Sequence, residues 1–324
     1  MHSTTEREIN KQYHNKLGVG IYHLDPRWVS TYEFNRIADL GMVNCYRFTT
    51  EAGEDSFIRG CEKAKETGAQ VWYCAPPFYG YKESLSEYMK RHDKSIQVIK
   101  DAGLWDTVVG FQWDEPLLHR GHTNENFLDM TKAISETYGK RIFPVFSNYE
   151  IVGKRGNIED PPNFQFLLEK WASKYITDVA FDNYGYDFRV PLRDAEKKRL
   201  SAFYNREFES AEDILEYYTD RMLALIENPD DVRVWYFPCG YLALLWVGGP
   251  HADEDFCTQS LEGFKKLLLK QKNPGGLFTY GFKSWGDRDH LDWWLQEENP
   301  DRWEKYIEAS KRVCGELKDI DIKL

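Results

Sequence analysis

Residues 113–116 read Trp-Asp-Glu-Pro and follow the apolar run VVGF after a single residue, Gln112. Two adjacent carboxylates at the end of such a run can divide a proton-transfer task. One acid protonates a departing oxygen, and its neighbour holds negative charge beside the reacting centre. Successive side chains of a strand point to opposite faces. Asp114 and Glu115 can therefore face one ligand together only where a strand is ending. Pro116 has no N–H to give to a sheet and directs the residue before it to extended backbone. The ladder is expected to stop there, with Glu115 extended and the chain opening into a loop.

The elements that would position this pair follow from the apolar runs. Eight strands are expected, at 18–24, 42–48, 70–75, 108–113, 141–147, 178–184, 232–238 and 276–283. Their near-continuous apolar character suits strands buried on both faces. Helical patterns lie at 29–40, 56–67, 84–102, 124–138, 163–175, 208–227, 254–271 and 300–317, several ending at a glycine such as Gly41, Gly68 or Gly139. Glycine there suits a helix C-cap. Eight alternating units predict an α/β fold, a single (β/α)8 barrel over residues 1–324. An open doubly wound sheet fits less well, because no Gly-rich phosphate loop is present. The longest irregular stretch, 185–207, is expected to form part of the cleft wall.

Barrels of this kind carry their chemistry at the C-terminal ends of the strands. Collected there are Arg47 in the second strand, Tyr73 in the third, Trp113 at the end of the fourth with Asp114 and Glu115 after it, and Asn148 and Glu150 after the fifth. The sixth adds Asp182, Asn183 and Tyr184, the seventh Tyr236, and the eighth Trp285. Such a rim of acids, amides and aromatic faces suits a carbohydrate. Some of these acids have a plainer use as helix caps, for which Asp25, Asp55 and Asp287 are the best placed. Trp285 serves either as a sugar platform or as core, and Arg47 either binds an anionic substrate group or pairs with an inward acid, the pair being favoured.

Glycoside hydrolysis commonly uses two carboxylates. In the common retaining barrels one acid follows the fourth strand and a nucleophile follows the seventh, but here the seventh, VWYFPCGY, supplies no acid. Two routes remain open. Glu115 pairs with Asp182 or Glu150 as a two-carboxylate site, or the substrate supplies its own nucleophile. In the second route a 2-acetamido carbonyl attacks C1 to give an oxazoline, with Glu115 as acid and Asp114 beside the amide. Asp114 has rival uses, as a like charge that tunes Glu115 or as support for it. A barrel that binds sugar without cleaving it is a third reading.

The Asp-Glu-Pro tripeptide after the fourth strand resembles the substrate-assisted N-acetylhexosaminidases, and most of all glycoside hydrolase family 123, the β-N-acetylgalactosaminidases. The resemblance covers the barrel order and this one motif. It implies Glu115 as general acid/base and Asp114 as the group that polarises the acetamide. It also implies a Tyr or Asn that holds the acetamide oxygen, for which Tyr184, Asn183 and Asn148 are placed, and a Trp that closes the sugar pocket, for which Trp285 is placed.

Composition bounds the partners. A net charge of −11 repels nucleic acid and anionic membrane surfaces. The six cysteines form no CxxC pair, and no ligand spacing typical of a metal site is present, so no metal or cofactor is expected. The polar start MHSTTEREINKQYHNK has no apolar segment of a signal peptide. A cytoplasmic location is expected unless an export signal has been removed, and homo-oligomerisation is left open.

Overall fold

The eight apolar runs form eight parallel strands that pair in sequence order and close β8 against β1. They are β1 (Gly18–Ile21), β2 (Cys45–Thr49), β3 (Gln70–Cys74), β4 (Val108–Asp114), β5 (Arg141–Ser147), β6 (Asp178–Asp182), β7 (Arg233–Tyr236) and β8 (Pro274–Thr279). Around them run α1 (Glu54–Thr67), α2 (Leu85–Asp101), α3 (Asn124–Tyr138), α4 (Asp194–Tyr204), α5 (Ala211–Leu223), α6 (Glu254–Lys270) and α7 (Pro300–Leu317). The architecture is a (β/α)8 barrel. The computed structural model describes residues 15–22, 37–42, 44–49, 54–75, 83–116, 124–147, 150–151, 175–182, 188–189, 191–238, 254–279 and 300–322.

Two sequence expectations are corrected. The stretch 185–207 is not wholly irregular, because it contains α4. That helix has a thin apolar stripe, and its run of Ala, Glu, Lys and Arg forms it by propensity instead. Asp55 is the second residue of α1 rather than the cap before it. Gly41, Gly68 and Gly139 do end their helices, at φ 76°, 72° and 60°. The expected helix at 163–175 lies outside the described residues except for its last position, and so does most of 29–40.

Alternation along the strands builds two cores. One parity faces the helices, as with Phe48, Phe111 and Phe181; the other fills the barrel. At the barrel's centre Trp72, Phe143, Trp235 and Phe278 meet at centroid distances of 4.9 Å (Trp72–Phe143), 5.1 Å (Phe143–Trp235) and 5.0 Å (Trp235–Phe278). Such bulk fits only against glycine. A Cβ at Gly110 would lie 2.4 Å from the Trp72 ring, and one at Gly276 would lie 2.6 Å from Trp235.

The barrel's floor is ionic. Asp178, the first residue of β6, is fully buried. It accepts hydrogen bonds from Arg141 Nε at 2.9 Å, Arg233 Nε at 3.0 Å and Trp235 Nε1 at 2.8 Å. Burial opposes its charge, but the two guanidiniums outweigh that and hold its carboxyl below the usual carboxylate range. This layer and the aromatic one above it fill the barrel below the strands' C-terminal ends.

Candidate active site

Above the aromatic layer, the inward positions of β1 to β6 carry polar groups. Gln112 and Asp114 sit two residues apart on the inward face of β4. The hydroxyl of Tyr22, just past β1, donates to Asp114 Oδ1 at 2.5 Å and accepts from Gln112 Nε2 at 2.8 Å. Arg47 on β2 donates from Nε to Gln112 Oε1 at 2.6 Å and from an Nη to Cys74 Sγ on β3 at 2.9 Å. The same Nη lies 3.8 Å from Asp114 Oδ2, and the guanidinium carbon lies 4.4 Å from the centre of the Tyr22 ring. Arg47 thus pairs with an inward acid, as favoured from the sequence. Burial and then the Asp114 charge push the Tyr22 phenol well above its usual range, so it remains a donor. Phe237 stands edge-on to its ring with centroids 4.4 Å apart. The result is a carboxylate held between a fixed hydroxyl and a fixed cation, with about a fifth of its side chain still exposed (19%).

Glu115 follows at φ 38°, and its N–H donates to Val145 O at 2.7 Å. Extended backbone was expected before Pro116; the observed φ is left-handed. The last ladder hydrogen bond to β5 survives while the chain turns sharply at Glu115. A left-handed φ is costly for a side chain with a Cβ, and such costs gather at functional sites.

Asp182, the last residue of β6, shares the inward face with Asp178 and Ala180 and pairs in register with Ser147. Its Oδ1 is buried and has no hydrogen-bond partner among the described residues, although the residue as a whole retains some exposure. Burial, then the charge of Asp114, push its carboxyl well above the usual range, with a smaller push from Glu150 and an opposing pull from Arg47. Glu150 bonds back to Ser147 at the end of β5. Its Oε2 accepts from Ser147 N at 2.6 Å, its own N–H donates to Ser147 Oγ at 3.2 Å, and it is buried.

Three expected rim residues point the other way. Tyr73 is buried against Phe57, His92 and Phe111. Trp113 is buried beside Phe127 of α3. Tyr236 is buried with its hydroxyl 2.8 Å from Thr219 Oγ1 of α5. All three have outward parity and belong to the interface between barrel and helices, not to a ligand surface. Asn148, Asn183, Tyr184 and Trp285 lie outside the described residues. Conversely, Tyr22, Gln112 and Cys74 were not singled out as site residues. Stepping back by two from Asp114 along β4 would have found Gln112. Among the described residues no group of three or more His, Cys, Asp or Glu side chains could hold a metal ion, and no helix is long and apolar enough to cross a membrane.

No protein-family model and no curated protein sequence matches this chain. Among solved structures it is similar to an exo-β-1,4-mannosidase from Opitutaceae bacterium strain TAV5, with TM-score 0.53 and 11% identity, over 94% of this chain and 60% of that one. It is also similar to an endo-β-N-acetylglucosaminidase from Cordyceps militaris (TM-score 0.49, 13% identity, 98% and 97% of the two chains). A third is a family 30 endoxylanase from Clostridium papyrosolvens C71 (TM-score 0.47, 13% identity, 82% and 65%). This chain spans less than two thirds of the mannosidase and of the xylanase. The likeness to the mannosidase is one of fold alone.

Proposed function

We propose that this protein is a glycoside hydrolase, and that it acts as a retaining, substrate-assisted β-N-acetylhexosaminidase on N-acetylgalactosaminides or N-acetylglucosaminides. The observation that carries this reading is the setting of Asp114. Its carboxylate is fixed by Tyr22 and Arg47 at the mouth of the barrel, with Glu115 next to it on a sharply turned backbone. Donor and cation match its charge before any substrate arrives, which is how preorganised sites stabilise developing charge. Each carboxylate oxygen accepts more than one hydrogen bond, so Asp114 can still receive a substrate N–H.

The chemistry then runs as follows. The substrate's acetamide oxygen attacks C1, and the bond from C1 to the leaving oxygen breaks as Glu115 gives that oxygen its proton. Positive charge develops on the forming oxazoline ring, and Asp114 stabilises it through the amide N–H. Water then attacks C1 from the side the leaving group vacated, giving its proton to Glu115 and reopening the acetamide. Two inversions retain the anomeric configuration.

The two-carboxylate alternative uses Glu115 with Asp182. A nucleophile must be charged, and the burial of Asp182 beside Asp114 favours its protonated form. Glu150 is engaged with Ser147. A panel of 4-nitrophenyl β-glycosides tests the proposal. Release of nitrophenol from the 2-acetamido sugars, with no more than traces from plain glucoside and galactoside, supports it. Efficient cleavage of the plain sugars overturns it, and sugar binding without any turnover would point to a binding barrel.

A further inference from the structure

We propose that Asp182 forms a neutral hydrogen-bonding subsite, a carboxylic acid that donates its proton to a hydroxyl oxygen of an uncharged sugar lying beside Asp114. This rests on the barrel mouth being a sugar site.

The geometry comes first. Asp114 pairs with Val145 on β5, and Asp182 pairs with Ser147 two residues further along the same strand. The two acids therefore flank β5 on the inward face at the open end of the barrel. Asp182 Oδ1 is enclosed and accepts nothing from the described residues. An ionised carboxylate has about four acceptor sites to fill, and an enclosed charged oxygen without a donor is expensive. A protonated acid resolves this. The enclosed Oδ1 becomes the weaker carbonyl acceptor, and the hydroxyl sits on Oδ2, where it can turn to the mouth.

The groups facing Asp182 agree. From β4 comes the charge of Asp114, and from the chain after β5 that of Glu150; both oppose a further negative charge. From β2 comes Arg47, already bonded to Gln112 and Cys74 and paired with Asp114. From β1 comes Tyr22, whose hydroxyl donates to Asp114 instead. With its carbonyl oxygen enclosed, the neutral acid presents a donor at the mouth, and a sugar hydroxyl oxygen can accept from it. It gives no such match to the ammonium group of a deacetylated amino sugar.

The test uses the full chain and two variants. Asp182→Asn preserves a neutral donor and acceptor, and Asp182→Ala removes both. Carboxyl ¹³C resonances, with Asp182 assigned by its loss in Asp182→Asn, report protonation without needing activity. Binding of N-acetylgalactosamine and N-acetylglucosamine is read by calorimetry. The proposal expects the Asp182 resonance to titrate above the ordinary carboxylate range. It also expects Asp182→Asn to bind within about threefold of the native protein and Asp182→Ala to bind about 10-fold more weakly, the scale of one hydrogen bond. Titration in the ordinary range would overturn it. So would equal losses in the two variants, above all with azide restoring turnover as a glycosyl azide, since that would make Asp182 a nucleophile. A native protein that binds neither sugar while Asp182 titrates high would overturn the sugar reading, with the neutral acid left standing.

Discussion

The hydroxyl of Tyr22 donates to Asp114 Oδ1 at 2.5 Å, joining β1 to β4 across two intervening strands. Those two strands contribute as well, through Arg47 and Cys74, so the contact is the end of a continuous chain of polar groups. It fixes one acid of the Asp114–Glu115 pair on the rigid sheet and leaves the other at a turn. In the proposed mechanism that asymmetry lets the adjacent carboxylates take different roles.

Removing this hydroxyl should therefore harm both stability and turnover. Tyr22→Phe keeps the ring that packs against Phe237 and loses a bond to a charged acceptor, worth about 1.5–3 kcal/mol. Urea unfolding of Tyr22→Phe, Asp114→Asn and the double variant should give a coupling above about 0.5 kcal/mol. In turnover, kcat should fall more than KM rises, because a less firmly held Asp114 supports the charged transition state less well than the ground state. Strict additivity of the two substitutions would mean that the contact carries no energy.

Glu115 separates chemistry from strain. Glu115→Gln should lower kcat at least about 10²-fold on a substrate with a poor leaving group, the low end for a general acid, with an unchanged urea midpoint. Glu115→Gly should be as inactive but more stable by about 1 kcal/mol, because glycine adopts φ 38° without the Cβ penalty. A Gly variant less stable than the native protein would show that the Glu115 side chain, not its backbone, holds the turn.

The barrel was legible in the sequence because eight apolar runs separated by helical patterns leave few other topologies. The place of Asp114 at the end of the fourth strand was legible because an apolar run leads into it and Pro116 follows. What could not be read was which neighbour faces inward. Tyr73, Trp113 and Tyr236 look like rim aromatics by position, yet they are one residue out of phase with Cys74, Asp114 and Phe237 and so pack against helices. Parity is absolute only once one inward residue on each strand is known, and strands buried on both faces, such as QVWYC, VVGFQWD and RVWY, provide no such anchor. Tyr22 was hidden for a related reason. It follows Gly18 and Gly20, which are glycines because tryptophan and backbone crowd them from within, and no alternation can be read from residues without side chains. The left-handed turn at Glu115 was also out of reach, since proline argues for the opposite.

The raised carboxyl of Asp182 has a consequence for stability, with a definite sign. Native Asp182 keeps its proton at pH values where the unfolded chain has lost it, so folding is progressively disfavoured as pH rises above the ordinary value of about 3.9. Asp182→Asn removes that cost. The variant should be more stable than the native protein at pH 7, and the gain should shrink towards zero below about pH 4. Its slope is at most about 1.4 kcal/mol per pH unit. Urea unfolding across pH 4–7 checks this, and a variant less stable at pH 7 would contradict it.

Asp178 should behave in the opposite way. Its carboxyl is held below the usual range, so its contribution is complete above about pH 3.9 and is lost as pH falls further. Asp178→Asn leaves Arg141 and Arg233 without their shared counter-charge and should cost about 3–5 kcal/mol at pH 7. The difference from the native protein should narrow below about pH 4. A difference that stays constant down to pH 2.5 would assign the loss to shape rather than charge.

The central claim is that the substrate's own carbonyl attacks C1 while Asp114 holds the amide. The most direct measurement is kcat/KM across 4-nitrophenyl hexosaminides whose 2-acetamido methyl carries no, one, two or three fluorines. Each fluorine withdraws electrons from the carbonyl oxygen and weakens it as a nucleophile while changing size little. The mechanism predicts a steep, monotonic fall along the series, with the Asp114→Asn variant slower throughout. A flat series, with the trifluoroacetyl sugar cleaved as fast as the acetyl one, would contradict it and turn the assignment to an enzyme nucleophile.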